Sequence, residues 1–191
     1  MKKSSAIIMA ASLFVLAVGS AHQDPPKPAS DTATNAGDES LHPQAGEPLL
    51  DRMIGKWVLR GTMAGGEATY DIDAEWVLNR EYMRLHEVSR DVGSNGAPSY
   101  EAIVFINWNP KSSEYACLFL DSTAAADFTR MPIGRAKPSG NSIPFLFKFA
   151  SGAIFHSTLI CNGPTGNWEW VMDDEEGGHL QPFARVTLTK R

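Results

Sequence analysis

The sequence lacks a long hydrophobic run and any cluster of basic residues, and each absence excludes a class of protein. The apolar stretch at residues 6–18 is 13 residues long, whereas a helix that crosses a bilayer needs about 20. Lys and Arg number 17 against 22 Asp and Glu, so the basic face that nucleic-acid binding requires is missing. We therefore expect no stable membrane span after processing and no nucleic-acid partner.

The sequence also lacks the common catalytic and metal-binding motifs. It has no Gly-x-Ser-x-Gly elbow and no phosphate-binding glycine-rich loop, and His86-Glu87 is not followed by the second histidine of a zinc motif. The acidic run 173–176 lacks the spacing of a calcium loop. Cys117 and His156 could serve as a nucleophile and its base, but the sequence alone does not bring them together. We predict no catalytic residues, no metal and no cofactor.

Cysteine is nearly absent, because Cys117 and Cys161 are the only two. An even count in an exported chain is compatible with one disulfide. The alternative is two buried thiols that pack as small hydrophobes, and we favour it because the two residues fall on strands far apart in the sequence.

The N-terminal region indicates export. Lys2 and Lys3 precede the apolar stretch, and the small residues 19–21 follow it, which predicts a signal peptide at residues 1–21. An uncleaved anchor is the alternative. Residues 22–48 are rich in proline and poor in large apolar residues, which predicts a disordered linker. The folded domain is then 49–191, and we expect the mature protein in the periplasm or the medium.

From residue 55 onward the chain alternates between short apolar strands and turns. The clearest case is 68–78, where Tyr70, Ile72 and Trp76 share one face and Asp71 and Asp73 the other. Short hairpin links between nine or ten such strands favour an up-and-down antiparallel β-barrel over a sandwich. The apolar run 49–54 predicts a short helical plug before the first strand. The predicted fold class is all-β.

Two sets of residues resemble known families. The plug followed by Gly55-Lys56-Trp57 resembles the calycin barrels, which include the lipocalins. The segments 76–82, 100–101 and 115–121 are similar to a family of uncharacterised bacterial lipocalin-like domains. The calycin resemblance implies that Trp57 closes one end of the barrel and packs beneath an arginine of the last strand. Arg185 is the best match for that arginine, and Arg191 the second.

Three features could furnish a pocket. The strand 82–90 departs from clean alternation, and either inward face places an ionisable group inside the barrel; we predict that Arg84 and His86 point inward beside Trp76. The second feature is His156 in an apolar strand. The third is an abundance of aromatic residues, in which Phe147 and Trp170 are candidate wall residues, although aromatic stripes also form ordinary cores. The predicted ligand-binding residues are Trp76, Arg84, His86, Phe147, His156 and Trp170.

These features lead to three hypotheses about function. The first is an exported, non-enzymatic binding protein whose barrel holds a small, largely apolar or amphipathic molecule, with Arg84 at the polar end. The second is an enzyme on the same barrel that uses Arg84, His86 or Glu87 for acid–base chemistry. The third is an envelope interaction protein with a filled barrel and no ligand. The sequence does not indicate the oligomeric state.

Overall fold

The structure of the protein is a computed structural model, and it describes residues 48–123, 128–163 and 165–191. The predicted signal peptide, and all of the predicted linker except Pro48, lie outside these residues. The described part contains a short helix, one 3-10 turn and ten strands. They are α1 (Pro48–Asp51), β1 (Gly55–Met63), β2 (Gly66–Val77), β3 (Tyr82–Ser89), β4 (Glu101–Asn109), β5 (Glu114–Asp121), the 3-10 turn (Phe128–Arg130), β6 (Gly134–Ala136), β7 (Ser142–Lys148), β8 (Ile154–Cys161), β9 (Trp168–Glu176) and β10 (His179–Lys190).

The ten strands form one closed antiparallel barrel with up-and-down topology. Each strand pairs with its neighbours in the sequence, and β1 pairs with β10 to complete the ring. The closing register runs from Trp57 opposite Lys190 to Met63 opposite Ala184. The pairing around the ring is shortest at β6, which pairs with β5 from Tyr115 to Cys117 and with β7 at Arg135 opposite Leu146. The predicted fold class, including the short helix before the first strand, is confirmed.

Alternating side chains fill the interior, as a period of two requires. On β2 the buried residues are Ala68, Ile72 and Ala74, while Asp71 and Asp73 lie on the outer face and form ion pairs with Arg90 and Lys56. The sequence predicted this assignment of faces on β2. No helix among the described residues combines the length and the apolar character needed to cross a membrane.

Helix α1 and Trp57 close one end of the barrel. Leu50 and Met53 are completely buried, and Trp57 is 1% exposed. The indole Nε1 of Trp57 donates a 2.7 Å hydrogen bond to the carbonyl oxygen of Met53. The cation above the indole ring is Lys190, whose Nζ lies 5.2 Å from the ring centroid.

The prediction that Arg185 packs over Trp57 is wrong. On β10 the inward residues are Ala184, Val186 and Leu188, so Arg185 lies on the outer face, where it forms an ion pair with Asp173 and donates to the carbonyl oxygen of Met172. In the register, Arg185 faces Thr62 rather than Trp57.

The second candidate, Arg191, does not pack over Trp57 either. Its guanidinium lies 3.3 Å from the carboxylate of Asp71 on the outer wall. Lys190 has the parity of the inward residues of β10 and lies opposite Trp57 in the register, and that position explains why it meets the indole.

Candidate functional site

The two faces of strand β3 are the reverse of those that we predicted, with Glu87 inside the barrel and Arg84 and His86 outside. Met83, Leu85, Glu87 and Ser89 point inward and are at most 5% exposed. Arg84 and His86 lie on the outer wall, so the prediction that they point into the barrel is wrong. The physical reason is strand parity: a one-residue shift would bury Arg84 and His86 and expose Met83 and Leu85.

Both outward residues of β3 have carboxylate partners on the neighbouring strands. Arg84 Nη2 lies 2.6 Å from Glu75 Oε1 on β2. His86 Nε2 lies 2.6 Å from Glu101 Oε1 on β4. These pairs are partly exposed and join adjacent strands from outside, so they belong to the outer wall and not to an interior pocket.

The other predicted ligand-binding residues divide between the two faces. His156 is on the outer side of β8, with Nε2 2.8 Å from Glu175 Oε2. Phe147 and Trp170 are in the buried core, and the indole of Trp170 donates a 2.8 Å hydrogen bond to Ser157 Oγ. Gly134 leaves the space that the ring of Phe147 occupies, since a Cβ atom there would overlap the ring. The structure thus does not bring the six residues together in one site.

Trp76 packs against the core but belongs to the closed end. Its Nε1 donates a 2.7 Å hydrogen bond to Asp51 Oδ1, which also accepts from Arg80 at 2.7 Å. The guanidinium of Arg80 lies 5.0 Å from the centroid of the Trp76 ring. These contacts connect α1 to the turn after β2, so Trp76 has a structural role at the plug.

The unusual group of the interior is the carboxyl of Glu87. The residue is 1% exposed, and its Oε1 has no hydrogen-bond partner among the described residues. Its cross-strand neighbours are the apolar Ile72 on β2 and Ala102 on β4. Burial, reinforced by the negative charge of Asp121, raises the pKa of Glu87 to about 8. At neutral pH the carboxyl is therefore mostly protonated.

Two tyrosine rings lie near Glu87 at the end of the barrel opposite α1. Tyr70 faces Ser89 across β2 and β3, and the backbone N–H of Ser89 donates to the carbonyl oxygen of Tyr100. The two rings stack with centroids 5.4 Å apart and planes inclined by 20°. Burial raises the pKa of both phenols, and the carboxyl of Glu87 adds to the shift in each.

Phe119 and Asp121 complete this end of the barrel on β5. Asp121 faces Ala102, which itself faces Glu87. Phe119 packs against the core, with its ring centroid 6.4 Å from that of Trp170. We call the five residues Glu87, Tyr70, Tyr100, Phe119 and Asp121 the mouth site. It combines apolar and aromatic surface with carboxyl groups, which is the composition of a small-molecule site.

The sequence contained one signal of this site. Glu87 is the single acidic residue of β3 with the parity of Met83 and Leu85, and the sequence predicted it only as a candidate acid–base group. Tyr70 was placed on one face of its strand with Ile72 and Trp76 but given no functional role. Tyr100 and Asp121 were missed as functional residues. Their proximity depends on the barrel register, which the sequence pattern does not give.

The two cysteines are buried and form no disulfide, which confirms the interpretation that we favoured. Burial, with a smaller contribution from Glu87, raises the pKa of the Cys117 thiol above its usual value, so the reactive thiolate is disfavoured. Cys117 is buried inside the barrel, whereas His156 is on the outer wall. The structure does not assemble them as a nucleophile and base.

An open groove of about 350 Å³ lies on the outer wall beside β3, β4 and β5, with Tyr82, Phe105 and Leu118 in its lining. Its walls are almost entirely apolar, so it offers few polar groups that could orient a ligand. Among the described residues no group of three or more His, Cys, Asp or Glu is arranged to hold a metal ion.

Comparison with known proteins gives no assignment, because no protein-family model and no curated protein matches the chain significantly. The geometry of the mouth site is therefore the basis for the function proposed below.

Proposed function

We propose that this protein is an exported, non-enzymatic binding protein that holds a small, largely apolar molecule in its barrel, with the mouth site at the polar end of the ligand. The observation that carries the proposal is the buried carboxyl of Glu87, whose Oε1 has no partner in the described part of the chain. An unsatisfied buried polar group costs about 1–3 kcal/mol. Sequences depart from local rules of this kind mainly at functional sites.

The surroundings of Glu87 support binding. Its neighbours across the sheet are apolar, and the rings of Tyr70 and Tyr100 are half-buried and stacked beside one another. A ligand that enters this end of the barrel meets aromatic surface first and a hydrogen-bonding group below it. Most small-molecule sites have this division between an apolar wall and a few convergent polar groups.

The enzyme hypothesis is weakened because its three residues do not meet. Arg84 and His86 are engaged by Glu75 and Glu101 on the outer wall, while Glu87 is inside. A carboxyl with a pKa of about 8 has a suitable proton affinity for a general acid. Its described neighbours in the mouth site, however, include no activated nucleophile, so binding is the function that the geometry supports better.

Export remains part of this proposal. It rests on the two lysines and the apolar stretch at the N-terminus, followed by small residues at positions 19–21. The predicted location is the periplasm or the medium.

The proposal is tested by native mass spectrometry of the protein purified from its own host. We expect a bound small molecule that is released when the protein is denatured. Its mass should be the same after prolonged incubation with the folded protein. A variant that enlarges the buried side chain across the sheet from Glu87, Ala102→Leu, should lose the molecule, whereas the outer-wall variant Glu101→Gln should keep it. Melting curves of both variants serve as the control for folding.

Two results would contradict the proposal. A bare polypeptide mass in every preparation would favour a filled barrel without a ligand. Conversion of the bound molecule into a product, abolished by Glu87→Gln, would favour the enzyme.

A further inference from the structure

The titratable side chains that interact with the carboxyl of Glu87 are two phenols, a thiol and a second carboxyl. Tyr70 comes from β2, Tyr100 precedes β4, and Cys117 and Asp121 are on β5. Asp91, just beyond β3, adds negative charge near Tyr70. Besides burial, the interaction that acts on the carboxyl of Glu87 is repulsion by the negative charge of Asp121. The mouth site therefore disfavours a second anion and favours a cation.

The tyrosine pair adds a second reason to expect a cation. The negative face of an aromatic ring attracts ammonium groups, and sites for organic cations combine such rings with a carboxyl. The Tyr70 and Tyr100 rings stack at 5.4 Å between centroids, so an ammonium group does not fit between them. It meets the outer face of one ring, or one ring turns aside as the ligand enters.

We propose that the ligand of the mouth site is a primary alkylamine, bound as its ammonium form by the carboxylate of Glu87 and a face of Tyr70 or Tyr100, with its apolar tail in the barrel. This inference rests on the proposed binding function and specifies its ligand class. On binding, the neutral carboxyl of Glu87 releases one proton to solvent, and the carboxylate oxygens accept hydrogen bonds from the ammonium N–H groups. No covalent bond other than this O–H bond changes.

The proton released gives the proposal a distinct pH signature. Glu87 has a pKa of about 8 in the folded protein, whereas an alkylammonium loses its proton near pH 10, about as lysine does. Below pH 8 the affinity should rise almost tenfold for each pH unit, because ionising Glu87 is part of binding. Between the two values the affinity should be nearly constant. Calorimetry at neutral pH in buffers of different ionisation enthalpy should show the release of close to one proton.

The test uses probes that share one tail and differ in their head groups: octylamine, octanol and octanoate. At pH 8 the wild-type protein should bind octylamine about tenfold more tightly than octanol, because the ammonium pairs with a carboxylate, and octanoate should bind most weakly. Glu87→Gln should remove the preference for octylamine over octanol. Glu101→Gln makes the same chemical change on the outer wall and should leave the preference intact.

A second pair of variants separates the ring face from the phenol hydroxyl. Tyr100→Phe keeps the aromatic face and should retain the preference for octylamine. Tyr100→Leu removes the face and should weaken octylamine binding by about threefold or more, with a smaller effect on octanol. Melting curves show whether each variant is folded.

The outcomes distinguish the two proposals. Equal affinities for octylamine and octanol, or a preference for octylamine that persists in Glu87→Gln, would overturn the amine inference. Binding of the probes through their shared tail would still support the proposed function. Failure of all three probes to bind, together with a bare mass from the host, would overturn both.

Discussion

The Nζ atom of Lys190 lies 5.2 Å from the ring centroid of Trp57, at the end of the barrel where β1 pairs with β10. The same indole donates a hydrogen bond to Met53 just after α1. One tryptophan thus joins the plug, the first strand and the last strand. The cation that covers it comes from the residue opposite it in the register.

Replacing Trp57 with alanine should lower the free energy of unfolding by about 3–5 kcal/mol, as large aromatic deletions in cores do. Lys190→Ala should cost under about 1 kcal/mol, since its ammonium group is exposed. In urea unfolding, a double-mutant cycle should give a coupling energy for Trp57 with Lys190 and none for Trp57 with Arg185. Coupling of Trp57 with Arg185 and not with Lys190 would instead support the packing of Arg185 over Trp57 that the calycin resemblance implies.

Gly61 should not tolerate a side chain. Its φ is +151°, and a Cβ atom there would overlap the backbone oxygen of Arg185 and lie 2.8 Å from Cα of Val186. Because the obstruction is backbone, Gly61→Ala should destabilise the closure of β1 on β10 by more than about 2 kcal/mol.

Gly65 is the matched control for this substitution. It also has a positive φ, +77°, but a Cβ atom there would meet nothing within 4 Å. Gly65→Ala should therefore cost only about 1 kcal/mol of backbone strain. Equal losses of unfolding free energy for the two variants would mean that β1 and β10 are not in close contact at Gly61.

The barrel could be predicted from the sequence because its evidence is local. The alternation on β2 and the short turns are visible in windows of a few residues. Strand β3 was assigned to the wrong faces, because its two parities carry similar numbers of apolar and ionisable groups. The neighbouring strands determine which face of β3 points inward, because Glu75 and Glu101 on the outer wall pair with Arg84 and His86. The mouth site depends on the same non-local register.

The resemblance to calycins did not identify the closing cation. Arg185 was chosen as an arginine in the last strand, but parity on β10 places it outside with Asp173. Parity combined with the β1–β10 register selects Lys190, and the register was not available from the sequence alone.

The predicted export can be checked directly. Cleavage after Ala21 should give a mature protein that begins at His22, because small residues at 19–21 follow the apolar core. N-terminal sequencing of the periplasmic or secreted fraction should read from His22. An intact Met1 in the membrane fraction would instead support an uncleaved anchor.

The stability of the protein should carry the signature of Glu87. Its pKa is about 8 in the folded chain, against 4.5 for the ordinary group. Between these values the unfolded state binds fewer protons than the folded state, so the free energy of unfolding falls as pH rises from 4.5 to 8. This contribution has a slope of at most about 1.4 kcal/mol per pH unit, and it is constant outside that interval.

Urea unfolding of wild type and Glu87→Gln isolates this contribution. The variant should gain stability relative to wild type as the pH is raised from about 5 to about 8. Glu75→Gln makes the same chemical change on the outer wall, where the partner is Arg84. An arginine stays protonated over this pH range, so this control variant should show no such gain. A constant difference between wild type and Glu87→Gln across the range would mean that Glu87 has the same pKa in the folded and unfolded states.

The central claim is that the carboxyl of Glu87 is neutral inside the ligand-free barrel and is ionised when a ligand binds. The most direct test is a carbon-13 NMR titration of the Glu87 side-chain carboxyl. In the protein without a ligand, its signal should titrate with a midpoint near pH 8. Saturation with octylamine at neutral pH should move it to the position of an ionised carboxylate. A midpoint near the ordinary 4.5, or a signal that octylamine leaves unchanged, would contradict the account.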